Sequence, residues 1–352
     1  MTMKNETYKL PFYVQFSLIS VSLIALTVVL YWGQQIILPL IFSAIIAIVL
    51  CPVVDFMVSK KINRILAICL SILMVSLITV FALLFLLSQL SMFSESLPAL
   101  NEKFDLLMID LVSWVCNTFK LNSFNVKAWI KTTNVEILNE SRGIIGQTLL
   151  NIGSVLVVIF LIPVYVFMIL YYKTLLVKVI HQLFKADAHK DLDEILKATK
   201  SIVQRYLVGL VLEAVIVAIL GSVCLLILDI DYAILLGVIG AVLNLIPYVG
   251  GMVGGLLPML IALATKSPIH AFWVMIAYIL IQFIDNNFIV PKIVASKVEI
   301  NGLVSIIVVI MGGALWGLSG MILSIPLIAI LKVIFDHSKG LKPWGLLLGN
   351  KM

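Results

Sequence analysis

Charged residues are scarce in this chain of 352 residues. Aspartate, glutamate, lysine and arginine together make up 12% of the sequence, whereas hydrophobic residues make up 62%. A soluble globular domain carries about 25% charged residues, so the composition excludes that class and predicts a polytopic membrane protein. The net charge of +6 does not indicate nucleic-acid binding, because in a membrane protein the placement of basic residues in the loops matters more than their sum.

Cysteine is scarce too, and no two cysteines form a C-x-x-C pair. Cys51, Cys69 and Cys224 lie in apolar segments, and Cys116 lies in a polar loop. This arrangement predicts neither a disulfide framework nor a cysteine metal site. Walker and dinucleotide-binding motifs are absent as well, so we expect no nucleotide cofactor and no ATP-driven pumping by this chain alone.

Histidine is limited to four residues, all at span ends or in polar loops. The tetrapeptide Gly317-Leu318-Ser319-Gly320 matches the G-x-S-G pattern of rhomboid-type intramembrane proteases. A serine nucleophile needs a base to accept its proton, however, and no histidine lies deep in a span. His181 and His189 share a loop with several acids, but their spacing does not force the ligands of a metal site to converge. We therefore expect neither an enzyme nor a metal site.

Two long apolar segments in the C-terminal half are interrupted by glycine and proline. They span residues 229–266 and 301–332, and eleven of the 20 glycines fall within residues 237–255 and 302–320. A bilayer core needs about 20 apolar residues as helix, so each segment has enough for two short helices. Such broken segments predict hairpins that enter the membrane and return. Alternatively, the glycines only allow full spans to pack closely.

The other predicted spans are residues 12–32, 36–57, 65–90, 144–172, 207–228 and 269–290. The hairpins are predicted at residues 232–265 and 302–335. With a cytoplasmic N-terminus, the inner segments hold 18 of the 24 lysines and arginines, and the outer segments hold six. Because basic residues favour cytoplasmic loops, we expect both termini in the cytoplasm.

This topology predicts six regions. They are N-terminal membrane helices (1–90), an extracytoplasmic helical segment (91–143), one membrane helix (144–172), a cytoplasmic helical loop (173–205), a core with two hairpins in inverted arrangement (206–335) and a cytoplasmic tail (336–352). In the outer segment, apolar residues from Leu97 to Trp114 repeat at alternating spacings of three and four. The run is shorter than three heptads, so a coiled-coil contact between protomers and a helix on the membrane surface fit it equally well.

Two acidic residues lie deep in predicted spans of the core, Glu213 and Asp285. An ionisable group inside a membrane is expensive and marks an ion path or a proton relay, unless it only bonds to another helix. Gln282, Asp285 and Asn286 have the spacing of one helix face, which favours a functional site at Asp285. For Glu213 the two interpretations stay open, because Gly209 four residues earlier indicates a packed face.

The C-terminal half resembles the AI-2E family of transporters, also called the PerM-like permease family, over about 130 residues. The matching positions are Gln204, Tyr206-Leu207-Val208-Gly209, Glu213-Ala214, Ile246-Pro247-Tyr248-Val249-Gly250, Gln282, Asp285-Asn286, Pro291, Val298, Ile300-Asn301, Gly312-Gly313, Gly317, Gly320, Ile325-Pro326-Leu327, Ala329 and Lys332. Gly302 departs from the pattern, since the family commonly has proline there.

The resemblance implies a multi-pass secondary transporter in a bacterial cytoplasmic membrane that forms homo-oligomers. Its solute would be a small polar molecule such as autoinducer-2, or Na⁺ or Li⁺ in exchange for protons. The alternative is a membrane scaffold or regulatory partner without transport activity. The candidate residues for substrate or ion coupling are Glu213, Asn244, Pro247, Tyr248, Gly250, Gln282, Asp285, Asn286, Asn301, Gly312, Gly313 and Ser319.

Overall fold

A computed structural model of the chain describes residues 11–119, 152–184, 189–246, 250–294, 300–338 and 340–349, and no strand occurs among them. The helices are α1 (Phe12–Trp32), α2 (Gln34–Ser59), α3 (Arg64–Phe119), α4 (Ile152–Tyr171), α5 (Lys173–Leu183), α6 (His189–Ile227), α7 (Ala233–Asn244), α8 (Gly250–Thr265), α9 (Pro268–Ile284), α10 (Gly302–His337) and α11 (Lys342–Leu348). After α9 the chain continues as a wider π-helix, Asp285–Val294.

By length and composition alone, six helices of the described part could cross a membrane. They are α1, α2, the Arg64–Ser91 part of α3, α6, α9 with its π-helical continuation, and α10; α4 with α5 gives a seventh if this bent pair counts as one span. The prediction of an all-α polytopic membrane protein is therefore confirmed.

Two helices extend beyond the predicted membrane spans. The span predicted at residues 65–90 corresponds to the Arg64–Ser91 part of α3. The same helix continues to Phe119, so α3 has 56 residues in all and a length of about 84 Å at the helical rise of about 1.5 Å per residue. α6 begins at His189 and runs without interruption into the predicted span, so the boundary expected at residues 205 and 206 falls inside one helix. The side chains of the predicted heptad seam and residues 120–151 lie outside the described residues, so the oligomer contact stays a prediction.

The first broken segment forms a hairpin of α7 and α8. These helices have 12 and 16 residues, or about 18 and 24 Å, which is shorter than a bilayer core of about 30 Å. The start of α7 and the end of α8 pack together with the end of α6 and the start of α9, in a buried cluster that includes Leu225, Ala233, Ala262 and Ala271. The chain therefore turns back at the predicted break.

The second broken segment, α10, also reverses its direction. At its turn Gly317 has φ 58° and ψ −139°, a conformation that glycine adopts readily because it has no Cβ. The Ser324 hydroxyl donates to the Val308 carbonyl at 2.9 Å. In a straight helix, residues 16 apart would be separated by about 24 Å, so two arms of α10 must run side by side.

The hairpins follow helices of opposite direction. The first hairpin starts at the end of the bundle where α6 stops and returns the chain to that same end. α9 therefore runs antiparallel to α6, and the second hairpin starts after α9 has reached the opposite end. This is the inverted arrangement that the sequence predicts.

The N-terminal helices form a second packed region beside this core. α2, α3 and α4 share a buried cluster around Ala47, Ile68 and Val166. The amide of Gln204 on α6 donates to the Ile48 carbonyl on α2 at 2.6 Å, which ties the N-terminal helices to the core.

Candidate functional site

Two buried carboxyl groups lie where α6, α7 and α9 meet. Glu213 on α6 is 5% exposed, and Asp285, at the junction of α9 and the π-helix, is 1% exposed. One amide joins them, because Asn244 Nδ2 donates to Glu213 Oε1 at 3.1 Å and to Asp285 Oδ2 at 2.8 Å. Asn244 is the last residue of α7. The break in the first hairpin thus places an amide between the two acids.

The helix geometry changes at Asp285, which is the first residue of the π-helix. Such wider turns occur frequently at functional sites. The sequence predicted Gln282, Asp285 and Asn286 on one face from α-helical spacing, but Asn286 is exposed while Asp285 is buried. Asn286 therefore does not share the buried environment of Asp285, and its part in ion coupling stays a prediction.

Glycines allow the helices around the site to approach closely. A Cβ on Gly237 of α7 would lie 2.5 Å from the backbone nitrogen of Ser222 on α6, and a Cβ on Gly254 of α8 would lie 3.0 Å from the carbonyl oxygen of Gly240 on α7. Any larger side chain would push these backbones apart. The glycines of the first broken segment therefore allow the close helix packing in which Asn244 lies beside the two acids.

The carboxyl pair has no cationic partner in the described part of the chain. The salt bridges among the described residues include neither Glu213 nor Asp285. Asp285 Oδ1 is also buried without a hydrogen-bond partner among them. Two buried negative charges that share one neutral amide repel each other and lack hydration. A proton on one of the acids, or a bound cation, would relieve this repulsion.

A small cavity adjoins the bridging amide. Its volume is about 10 Å³, and Asn244, Gly251, Tyr278 and Gln282 are among its lining residues. That volume is close to the minimum for one water molecule, which is about 10 Å³. The Tyr278 hydroxyl is buried and has no hydrogen-bond partner within the described ranges.

Tyr278 is the residue of this site that sequence reasoning missed. It lies four residues before Gln282 on α9, and residues with this spacing are neighbours on a helix face. A search for polar groups one turn from Gln282 would have found it.

A larger groove opens on the other side of Tyr278. It has a volume of about 290 Å³ and is lined by Gly251, Gly255, Leu256, Met259, Met275, Tyr278, Ile279 and Gln282. Gly251, Tyr278 and Gln282 line both the groove and the small cavity. The two polar side chains therefore separate the groove from the space next to Asn244.

The remaining candidates of the first hairpin lie at its tip. Gly250 is buried at the start of α8, where a Cβ would be 2.5 Å from the Asn244 Cα. Pro247 and Tyr248 fall outside the described residues.

The candidates of the second hairpin have other neighbours. The Asn301 side chain accepts a hydrogen bond from Leu303 N at 3.0 Å and caps α10. A Cβ on Gly312 would meet Gly320 and Ser324, and one on Gly313 would meet Met321. These residues, with the half-buried Ser319, belong to the packing and the turn of α10.

The tip of the second hairpin packs against the N-terminal helices. Trp316 Nε1 donates to the Leu30 carbonyl on α1 at 3.0 Å, and the Trp316 ring packs in a cluster with Ile45 on α2 and Leu323. The tip of the second hairpin therefore lies against α1 and α2.

Comparison with known proteins identifies relatives over most of the chain. Residues 21–340 match the model of a family described as AI-2E family transporter. The protein YrrI of Bacillus subtilis (strain 168) is 26% identical over 317 residues, which cover 86% of this chain and 87% of YrrI. The AI-2 transport protein TqsA of Escherichia coli (strain K12) is 26% identical over 325 residues, which cover 91% of each chain. The chain therefore belongs to the AI-2E family of transporters.

Proposed function

We propose that this membrane protein is a secondary transporter in which Glu213 and Asp285 bind the coupling cation. The observation that carries the proposal is the buried carboxyl pair bridged by Asn244. A proton on either acid would remove the repulsion between them. A Na⁺ or Li⁺ ion bound by the carboxylate oxygens would have the same effect, so protons and cations would compete for one site.

The charge of this region favours a neutral polar solute or a cation as cargo. Glu213 and Asp285 have no lysine or arginine partner in the described part of the chain, so nothing there would neutralise an anion. The relative TqsA is named an AI-2 transport protein, and autoinducer-2 is a small polar molecule. We therefore propose autoinducer-2 or a similar polar metabolite as one candidate solute and Na⁺ or Li⁺ as the other.

The orientation we propose places the basic end of the bundle in the cytoplasm. Lys60, Lys61, Arg64 and Lys173 gather where α2 ends, α3 begins and α4 ends. Basic residues favour the cytoplasmic face. The first hairpin then enters from the outer side, and both termini lie inside the cell.

Proteoliposomes with a pH-sensitive dye inside test the proposal. External autoinducer-2, Na⁺ and Li⁺ are added separately, and solute uptake is followed together with lumenal pH. We expect at least one of them to drive a lumenal pH change with the wild-type protein. Asp285→Asn and Glu213→Gln should reduce this coupled change to the level of empty liposomes, because a neutral side chain cannot take up and release the coupling proton.

Asp229→Asn is the matched control. Asp229 lies in the turn after α6, where its carboxylate accepts a hydrogen bond from Lys266 at 2.6 Å and remains exposed. This variant should transport like wild type. Coupled transport that persists in Asp285→Asn would contradict the site, and a wild-type protein that moves no solute, cation or proton under any gradient would favour a scaffold without transport activity.

A further inference from the structure

The short helix α5 leaves the direction of the membrane helix before it. α4 and α5 are bent by 64° at the intervening residue Tyr172. α4 is apolar throughout, whereas α5, with the sequence KTLLVKVIHQL, mixes apolar and polar residues. A change of direction combined with a change of composition indicates that α5 lies outside the spanning part of the bundle.

Contacts to the ends of α2 and α3 hold this bend. Arg64 at the start of α3 donates to the Leu170 carbonyl at 2.9 Å and to the Thr174 hydroxyl at 3.1 Å. The Lys173 ammonium lies 3.3 Å from the Asp55 carboxylate near the end of α2. α5 therefore starts beside the turn that connects α2 to α3, at the boundary of the helix bundle.

The side chains of α5 separate into an apolar and a polar side. With 3.6 residues per turn, one side carries five apolar residues: Leu175, Leu176, Val179, Ile180 and Leu183. Four of these are exposed, from 43% for Val179 to 76% for Leu183, and Ile180 is partly buried. The opposite side carries Thr174, Val177, Lys178 and His181, and Gln182 lies at the border beside Leu175.

The polar side is attached to α6. His181 Nε2 lies 3.0 Å from the Asp193 carboxylate, and His181 Nδ1 lies 2.8 Å from the Val177 carbonyl oxygen. Because both ring nitrogens face acceptors, the doubly protonated ring fits this position best. The Val177 carbonyl first, and then Asp193, raise the pKa of His181 above its ordinary value. This attachment turns the apolar side of α5 away from the protein.

We propose that α5 is a membrane-surface helix whose apolar side lies at the boundary between lipid headgroups and acyl chains. An amphipathic helix with basic residues beside its apolar side is typical of this position. Lys178 on the polar side is exposed and can extend its ammonium group toward the phosphates. The apolar side is also continuous with the lipid-facing end of α4, where Tyr171 and Tyr172 are exposed, as tyrosines at a membrane interface are.

The position of α5 has a consequence for the core. Asp193 and Glu213 lie on the same continuous helix, α6. Lipids that hold α5 in the interface would therefore also hold the helix that carries one acid of the carboxyl pair.

Single-cysteine labelling in lipid nanodiscs tests this proposal. The four native cysteines are replaced by serine, and a bimane fluorophore is attached to a cysteine placed at Val179 or Leu176 on the apolar side. Lys178 and Thr174 on the polar side are the matched controls. The nanodiscs contain phosphatidylcholine and phosphatidylglycerol brominated near the top of the acyl chains, and iodide serves as the aqueous quencher.

We expect brominated lipid to quench the probes at Val179 and Leu176 several-fold more than those at Lys178 and Thr174, and iodide to show the reverse order. Equal quenching at all positions would overturn the proposal, since the helix would then lie in water. Probes at Val179 and Leu176 that neither quencher reaches would also overturn it, because protein such as a second copy of the chain would cover this side. The two positions on each side keep the test valid if one labelled variant does not fold.

Discussion

Replacing Asn244 with leucine removes the bridge between the two acids while nearly preserving the side-chain volume. Asn244 donates one hydrogen bond to Glu213 and another to Asp285. Leucine has no donor. The variant therefore leaves two carboxyl oxygens without this partner in a place that is almost closed to solvent.

The expected loss of stability follows from these two bonds. A buried polar group left unsatisfied costs about 1–3 kcal/mol, so the free energy of unfolding should fall by about 2–6 kcal/mol. Asn287→Leu is the matched control. Its amide donates to the Phe283 carbonyl at 2.8 Å and is exposed, so water can replace that bond and the change should stay within about 0.5 kcal/mol.

Equilibrium unfolding in mixed SDS and detergent micelles measures both variants. A double-mutant cycle with Asp285→Leu adds a second check, because residues that share a hydrogen bond give non-additive effects. We expect Asn244→Leu to be less destabilising in the Asp285→Leu background than in the wild type. If Asn244→Leu destabilises no more than Asn287→Leu, or if the cycle is additive, Asn244 does not hold the pair together.

Three further predictions concern the turn of α10, the attachment of α5 and the missed tyrosine. Gly317→Ala should lower the free energy of unfolding by about 1–3 kcal/mol, because alanine is strained in the backbone conformation of Gly317. Gly302→Ala should leave it unchanged, since a Cβ at Gly302 would meet open space. The same unfolding assay compares the two variants. Folding raises the pKa of His181 above its ordinary value of 6.5. The stabilising contact between protonated His181 and Asp193 is therefore fully present below pH 6.5 and is lost as the pH rises through the higher pKa of the folded protein. Hydrogen exchange of α5 should accelerate over that range, and a His181→Gln protein that keeps this pH step would contradict the assignment. Tyr278→Phe should leave the free energy of unfolding unchanged, since the Tyr278 hydroxyl has no partner in the described residues. The same variant should slow transport in proteoliposomes, because the hydroxyl would contact water or solute in the cavity. Unaltered transport would remove Tyr278 from the site.

The parts of the fold that follow from hydrophobic runs were predictable from sequence. Glycine and proline located both turns, because they mark where a helix is least stable. The sequence predicted a helical segment after residue 90, but not that α3 continues into it without a break as far as Phe119. The polar residues after residue 90 end the apolar run without ending the helix. Composition reports the edge of the membrane, whereas helix ends depend on hydrogen bonding along the backbone.

The candidate site was predictable only in part. Glu213 and Asp285 stand out because charge in an apolar segment is rare, and the structure brings them together through Asn244. Asn286 is exposed, which helical spacing from Gln282 alone did not predict. Asn301 was included from the family pattern, but its side chain caps a helix, which a residue pattern cannot distinguish from ligand binding.

The break in the first hairpin explains why the acids are suited to a cation. α7 ends at Asn244, and the C-terminal end of a helix carries a partial negative charge. This end of α7 adds to the negative potential of Glu213 and Asp285 instead of offsetting it. A full span would have carried this helix end to the far membrane surface. The turn between α7 and α8 therefore concentrates negative charge at one buried point. We expect a proton or a monovalent cation, and not an anion, to bind there.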